Sequence, residues 1–322
     1  MVPGYRHVPG NHCGSTALRN LLAFHGAELS EEMAFGLGAG ACFYHLPVED
    51  GSPSRFTNGR TSRLEEDFIA LTGAPIVLRT FDGPDESWEA ARATVADGRP
   101  ALLLSDLYHL DHYGQSAHFP GHAVVLAGFD EDVAYLSDTA FEDLQTTRLE
   151  NLATARHASH PVFPLAGHMF TVEGDARSFE PRAAIQSAVS QCATRMIEPP
   201  FGEYEGLPGL RRFAAEVGDW PGTLADWQWC ARFNYQVIER RGTGGGNFRS
   251  MYSRFLLEAG LNAEAALAAD AAGRWSELAA ALRAASESDE AVDVEWEGIA
   301  AGAALVLAAE ESLWPALLDA VS

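Results

Sequence analysis

From Gly14 to His25 the apolar residues Ala17, Leu18, Leu21, Leu22 and Phe24 recur at helical spacing, which predicts a helix with Cys13 in its first turn and Gly26 as its stop. A second helix is expected from Ser30, where Glu31 and Glu32 suit the positive N-terminal end, and the glycine-rich GLGAG at 36–40 closes it. Ser62 and Glu65 read as a capping box before a third helix that Gly73 ends. The period then shortens. PIVLRTF (75–81) and PALLLS (100–105) read as strands bracketing the helical ESWEAARATVADG. HAVVLAGF (122–129) and VAYLSD (133–138) flank the acidic turn DED, a hairpin signal, and GHMFTVEG (167–174) carries a further strand. Ser178 to Pro181 marks a boundary, beyond which ALAADAAGRWSELAAALRAASES and IAAGAALVLAAEESLWPALLDAV are strong helix formers. The pattern predicts an α/β (α+β) domain over 1–177 and a mainly helical domain over 178–322.

The hairpin carries the first chemical expectation. If it folds about Asp130, residue 122 lies across from residue 138 on one face of the sheet, which brings the His122 imidazole within reach of the Asp138 carboxylate; a one-residue slip would separate them. Cys13, at a helix start, meets unsatisfied N–H groups and a partial positive charge, conditions that favour a thiolate. A nucleophilic cysteine also needs a histidine base and a group to orient the imidazole. Each residue has a plain structural role open to it: Cys13 as a small buried thiol, His122 as a strand-end histidine, Asp138 as a turn cap. Their joint placement favours Cys13 as nucleophile, His122 as base and Asp138 as its orienting partner.

Composition narrows the field. With 322 residues, 47% of them hydrophobic, the chain has enough material for two domains. No run of eighteen apolar residues and no signal-peptide order is found, so a cytoplasmic protein is expected, with no membrane partner. Cys13, Cys42, Cys192 and Cys230 form no CxxC pair and read as free thiols. A formal charge of −23 argues against nucleic acid. All 22 basic residues are arginine, which excludes a Schiff-base lysine. His109, Asp111, His112, His118 and His122 crowd one stretch, but their intervals fit no zinc signature, and no metal is expected. GTGGGNFR (242–249) has the glycines of a phosphate loop without its Lys and Ser/Thr, and reads as a flexible or tightly packed connection.

The segments HCGSTALRNLLAFHG, LSEEMAFGLGAG, SDLYHLDHY, HFPGHAVVLAGFDEDVAYLSDTA and GTGGGNFRSMYSRFLLEA, in that order, resemble the butirosin biosynthesis protein H family, and the likeness covers most of the chain. The resemblance implies a papain-like cysteine peptidase-type domain followed by a helical one, with Cys13, His122 and Asp138 as catalytic triad. It also implies acyl transfer from an acyl carrier protein to a small-molecule amine acceptor, the substrate being presented on phosphopantetheine and no separate cofactor being needed. Papain-like peptidases place a glutamine of the oxyanion hole six residues before the cysteine, where this chain has His7; His7, Asn11 and His12 are the side chains open to that role.

Three functions follow as expectations. The first is a Cys13 acyl-enzyme that passes its acyl group to an amine, or releases the chain by cyclisation. The second is a cysteine peptidase or amidase with water as acceptor, and the third a binding protein without catalysis. Asp106 and Tyr108 are candidate substrate contacts beside the cleft, as are Asn247, Arg249 and Tyr252 if GTGGGNFR folds over it. An acidic carrier would need an arginine patch, for which Arg211 with Arg212, or Arg240 with Arg241, are the candidates. The acyl group, the acceptor and self-association as a homo-oligomer are left open.

Overall fold

In the computed structural model, which describes residues 1–115, 117–160 and 163–322, the helical period after His12 becomes α1 (Cys13–Phe24), followed by α2 (Glu31–Leu37) and the strands β1 (Ala41–Pro47) and β2 (Arg55–Arg60). Then come α3 (Leu64–Thr72), β3 (Ile76–Arg79), α4 (Pro84–Ala96), β4 (Ala101–Ser105), β5 (His122–Phe129), β6 (Val133–Ser137), β7 (Gln145–Arg148), α5 (Leu149–Arg156) and β8 (Met169–Val172). The remainder is helical: α6 (Ile185–Ile197), α7 (Gly206–Glu216), α8 (Trp220–Thr223), α9 (Trp227–Glu239), α10 (Arg249–Ala259), α11 (Asn262–Ser286) and α12 (Trp296–Val321).

The chain divides into two compact units, Met1–Ala34 with Leu64–Pro181, and Phe35–Arg63 with Arg182–Ser322. This differs from one cut after residue 177 in two ways. The later boundary falls at Pro181, and the segment 35–63 belongs to the helical unit. The cause is the hairpin of β1 and β2, in which β1 packs on α6 and α7 while β2 packs on α9. Neither strand alternates hydrophobic with polar residues, which hid both from a period-two reading.

The first unit is an antiparallel six-stranded sheet in the order β3-β8-β4-β5-β6-β7. Alternate residues Ala101 and Leu103, Val124 and Leu126, and Ala134 and Leu136 meet Ala91 and Val95 of α4 and Leu152 and Ala155 of α5 in one core. HAVVLAGF is buried at every position but its last, as expected of a strand covered on both faces; α1 and α4 both pack against it. The fold of the whole chain is therefore α+β, a sheet-containing N-terminal part followed by a helical C-terminal part.

The second unit is built around α11 and α12. By length and mean hydropathy, 1.3 over its most apolar window, α12 would also pass for a membrane span. Its buried residues Ile299, Ala303, Val306, Glu310, Leu313, Trp314 and Leu317 instead form a stripe at helical spacing. Glu310 in that stripe accepts from Arg249 Nε at 2.8 Å and from Trp275 Nε1 at 2.6 Å, which marks a core helix. The glycine run is the tightly packed connection: Gly246 has φ +58°, and a Cβ there would lie 2.7 Å from Ala272 Cα.

Candidate functional site

Cys13 opens α1, and the irregular chain before it is held by side chains. The buried Glu31 carboxylate accepts from the backbone N–H groups of Asn11 (2.8 Å) and His12 (2.7 Å), and from the Thr16 hydroxyl (3.1 Å). Hydrogen bonds to a charged group contribute about 1.5–3 kcal/mol each, roughly twice a neutral one, and the Arg19 guanidinium adds further charged ties by donating to the carbonyls of Val8 and Pro9. Asn20 Nδ2 donates to Val8 O at 3.0 Å, and Gly10 N–H to Thr139 O at 3.1 Å. The buried His12 is the N-cap, its Nδ1 accepting from Ser15 N–H at 3.3 Å, which leaves the ring proton on Nε2.

His122 begins β5 opposite Ser105 of β4, whose hydroxyl donates to the His122 carbonyl at 3.1 Å. Asp138 follows the last residue of β6. The hairpin register differs from the expected one: Val125 pairs with Ser137 and Leu126 with Leu136, and Ala127 is the extra residue of a bulge before Gly128 meets Tyr135. Continued by one position, this register sets Asp138 opposite Val124 rather than His122. The offset is two residues, so both side chains keep the same face and meet as diagonal neighbours, His122 Nε2 lying 2.9 Å from Asp138 Oδ2. With Nε2 committed to Asp138, Nδ1 is the nitrogen left for the Cys13 thiol, which hydrogen-bonds to His122.

Two residues not assigned to this centre from sequence complete it. His112 Nε2 lies 2.9 Å from Asp138 Oδ2, and the Tyr113 hydroxyl donates to Asp138 Oδ1 at 3.1 Å. Thr147 Oγ1 accepts from Asp111 N–H and meets His112 Nδ1, both at 3.2 Å, so the His112 ring is held between Thr147 and Asp138, with Nε2 donating to the carboxylate. The density of histidines in 109–122 was the only sequence signal for this second imidazole.

The electrostatics follow from the contacts. Burial alone would raise the Asp138 pKa, but the His122 charge and the hydrogen bonds from His112 and His122 outweigh it and hold the carboxyl well below its usual range. Burial alone would lower His122; the Asp138 charge and hydrogen bond, and then Cys13, raise it to about 10. Burial, reinforced by the Asp138 charge, pushes the Tyr113 phenol upward, so it stays a donor.

The other expected site residues are engaged as follows. His7 has no ring hydrogen left for an oxyanion: Nε2 donates to Phe141 O at 2.8 Å and Nδ1 accepts from the Ser137 hydroxyl at 2.7 Å. Asn11 spends its amide on Glu31 at 3.3 Å. Asp106 is buried behind β4, accepting from Tyr108 N–H (3.1 Å) and Phe119 N–H (2.9 Å), and Tyr108 stacks on His118. Asn247, Arg249 and Tyr252 lie in the core of the second unit, each at most 1% exposed. There Arg249 binds Glu310 and the carbonyls of Cys42 (2.8 Å) and Gly59 (3.0 Å). Arg211 pairs with Glu311 and Arg212 with Glu203, so neither is a bare docking charge.

Residues 12–139 match the family model described as Butirosin biosynthesis protein H, N-terminal, and residues 150–317 match a domain of unknown function, DUF4872. No curated protein matches the chain. The first match runs from the residue before Cys13 to the residue after Asp138, and so encloses Cys13, His122 and Asp138. With the two models spanning most of its length, the chain belongs to the butirosin biosynthesis protein H family, and that membership implies a biosynthetic enzyme of the acyltransferase type.

Proposed function

We propose that this chain is a cysteine-dependent acyltransferase that takes an acyl group from the phosphopantetheine thioester of an acyl carrier protein and delivers it to a small-molecule amine in the cytoplasm. The observation that carries the reading is the His122 imidazole bound both to the Cys13 thiol and to the Asp138 carboxylate. A protonated His122 beside a helix N-terminus favours the Cys13 thiolate. The thiolate attacks the thioester carbonyl, the C–S bond to the carrier breaks, and the departing pantetheine thiol takes the proton of His122. An amine then attacks the Cys13 thioester, His122 removes its proton, and the Cys13 thiolate leaves as the amide forms. Asp138 holds the imidazole and its charge throughout, and the first N–H groups of α1 stabilise the oxyanion, a type of donor that contributes about 3–4 kcal/mol. Neither half-reaction requires a cofactor of the enzyme's own. An internal amine or carbon nucleophile in the second half would give cyclising release, and water would give hydrolysis, the peptidase or amidase outcome.

Intact-mass analysis after mixing with acyl-carrier thioesters tests the reading. An acyl adduct that is absent in Cys13→Ala, and that an added amine discharges as amide, is the expected result. Peptide cleavage without an adduct from any carrier overturns it in favour of hydrolysis, and unchanged turnover in His122→Ala removes the triad.

A further inference from the structure

We propose that Asp106, His109 and His118 form a binding site for one divalent transition metal ion of the zinc class. A ligand atom from each lies within 4.8 Å of the others. Two imidazoles and one carboxylate suit Zn²⁺, Co²⁺, Ni²⁺ or Fe²⁺, whereas Mg²⁺ and Ca²⁺ take oxygen.

The three groups are held in advance. Asp106 is 2% exposed, and its Oδ1 is occupied by the N–H groups of Tyr108 and Phe119. Its Oδ2 meets His118 Nδ1 at 2.7 Å, and these two atoms need to part by only about 0.6 Å to stand at the spacing of two tetrahedral ligands about 2.0–2.1 Å from one ion. The Tyr108 ring lies flat on His118 with centroids 4.0 Å apart, and His109 stands edge-on to His118 at 5.8 Å. An Asp106–His118 ion pair explains two members of the group but gives His109 no part. A metal ion uses all three, taking the place of the proton between Oδ2 and Nδ1.

Three protein ligands leave a further coordination position. The three residues line a cleft of about 360 Å³ with Thr154 and His157, large enough for water or a small oxygen-donor ligand on the ion. His157 Nε2 is engaged with the Ser87 hydroxyl at 2.9 Å and is not counted among the ligands. The intervals between 106, 109 and 118 match no linear zinc signature because Asp106 closes a strand while His118 returns from the loop before β5. An ion here would pin that loop four residues ahead of His122, and the assignment does not depend on the acyl-transfer reading.

The test is titration of the chelator-stripped full-length protein with Co²⁺, read by its visible absorption, followed by displacement with Zn²⁺. One ion per chain is expected, with binding weakened about 100-fold or more in His109→Ala and in His118→Ala and unchanged in Cys13→Ala. The His118 side chain is 58% exposed, so its removal leaves the core intact. Wild-type binding in both histidine variants overturns the proposal. So does binding that disappears in Cys13→Ala, which would place the ion on Cys13 and His122, and so does failure of the wild type to bind at millimolar Co²⁺.

Discussion

The backbone N–H of Gly10 donates to the carbonyl of Thr139 at 3.1 Å. One hydrogen bond thereby ties the chain three residues before Cys13 to the chain one residue after Asp138. A side chain added at Gly10 must displace its neighbours, because its Cβ would lie 2.2 Å from Thr16 Oγ1 and 2.7 Å from Glu31 Oε2. Gly10→Ala is expected to cost about 1–3 kcal/mol, as overpacking does. Urea unfolding should show an earlier midpoint, and acyl-adduct formation should slow because the Cys13 loop has moved.

Glu31→Gln keeps the shape of the clamp and removes its charge. A loss of about 1–3 kcal/mol is expected from weaker bonds to Asn11 and His12. A lower urea midpoint at unchanged slope, together with slower acylation, would locate the effect at the loop.

His112→Ala deletes a hydrogen bond to a buried carboxylate without touching Cys13. Such a bond contributes about 1.5–3 kcal/mol, and if the transition state feels the whole of it, kcat falls about 10- to 100-fold. His112→Gln, which keeps an N–H donor, should recover part of the rate. Equal loss in both variants would assign His112 to packing alone.

The pH dependence of stability has a definite sign. His122 is raised from 6.5 to about 10, so its contribution is complete below about pH 6.5 and lost as pH rises through about 10. Asp138 is depressed below 3.8, so its contribution is present above that value and lost as pH falls through the lower folded one. The stability gap between wild type and Asp138→Asn should therefore shrink between about pH 6.5 and 10, measured by urea unfolding across that range. Turnover should fall on the same alkaline limb, as His122 loses its proton.

Glu310→Gln addresses the helical unit. The carboxylate holds Arg249 and the indole N–H groups of Trp275 and Trp314, all buried. Removing one charge of a buried pair costs about 3–5 kcal/mol, visible as a lower calorimetric transition.

Periodicity carried the reading furthest where one face decides an element. The helix after His12 announces itself by apolar spacing, the one after Ser30 by its first-turn acids and closing glycines, the hairpin by its acidic turn, and the long C-terminal helices by intrinsic propensity. The His122–Asp138 contact was legible although its register was not, because an error of two residues leaves a side chain on the same face. β1 and β2 were missed because they are covered by helices distant in sequence. Glu31 read only as a helix-end charge; its role as clamp depends on where Asn11 and His12 come to lie, which no local pattern encodes. Asn247, Arg249 and Tyr252 looked available for binding because polar residues beside glycines usually lie at the surface. The buried Glu310 that neutralises Arg249 stands 61 positions further on.

The bulge at Ala127 divides the hairpin into two halves with different alignments. Between it and the DED turn the strands are out of step with the half that holds His122 and Asp138. An inserted or deleted residue at 130–132 can therefore be taken up on the turn side. A change in the length or chemistry of this turn is thereby kept apart from the alignment that brings His122 to Asp138.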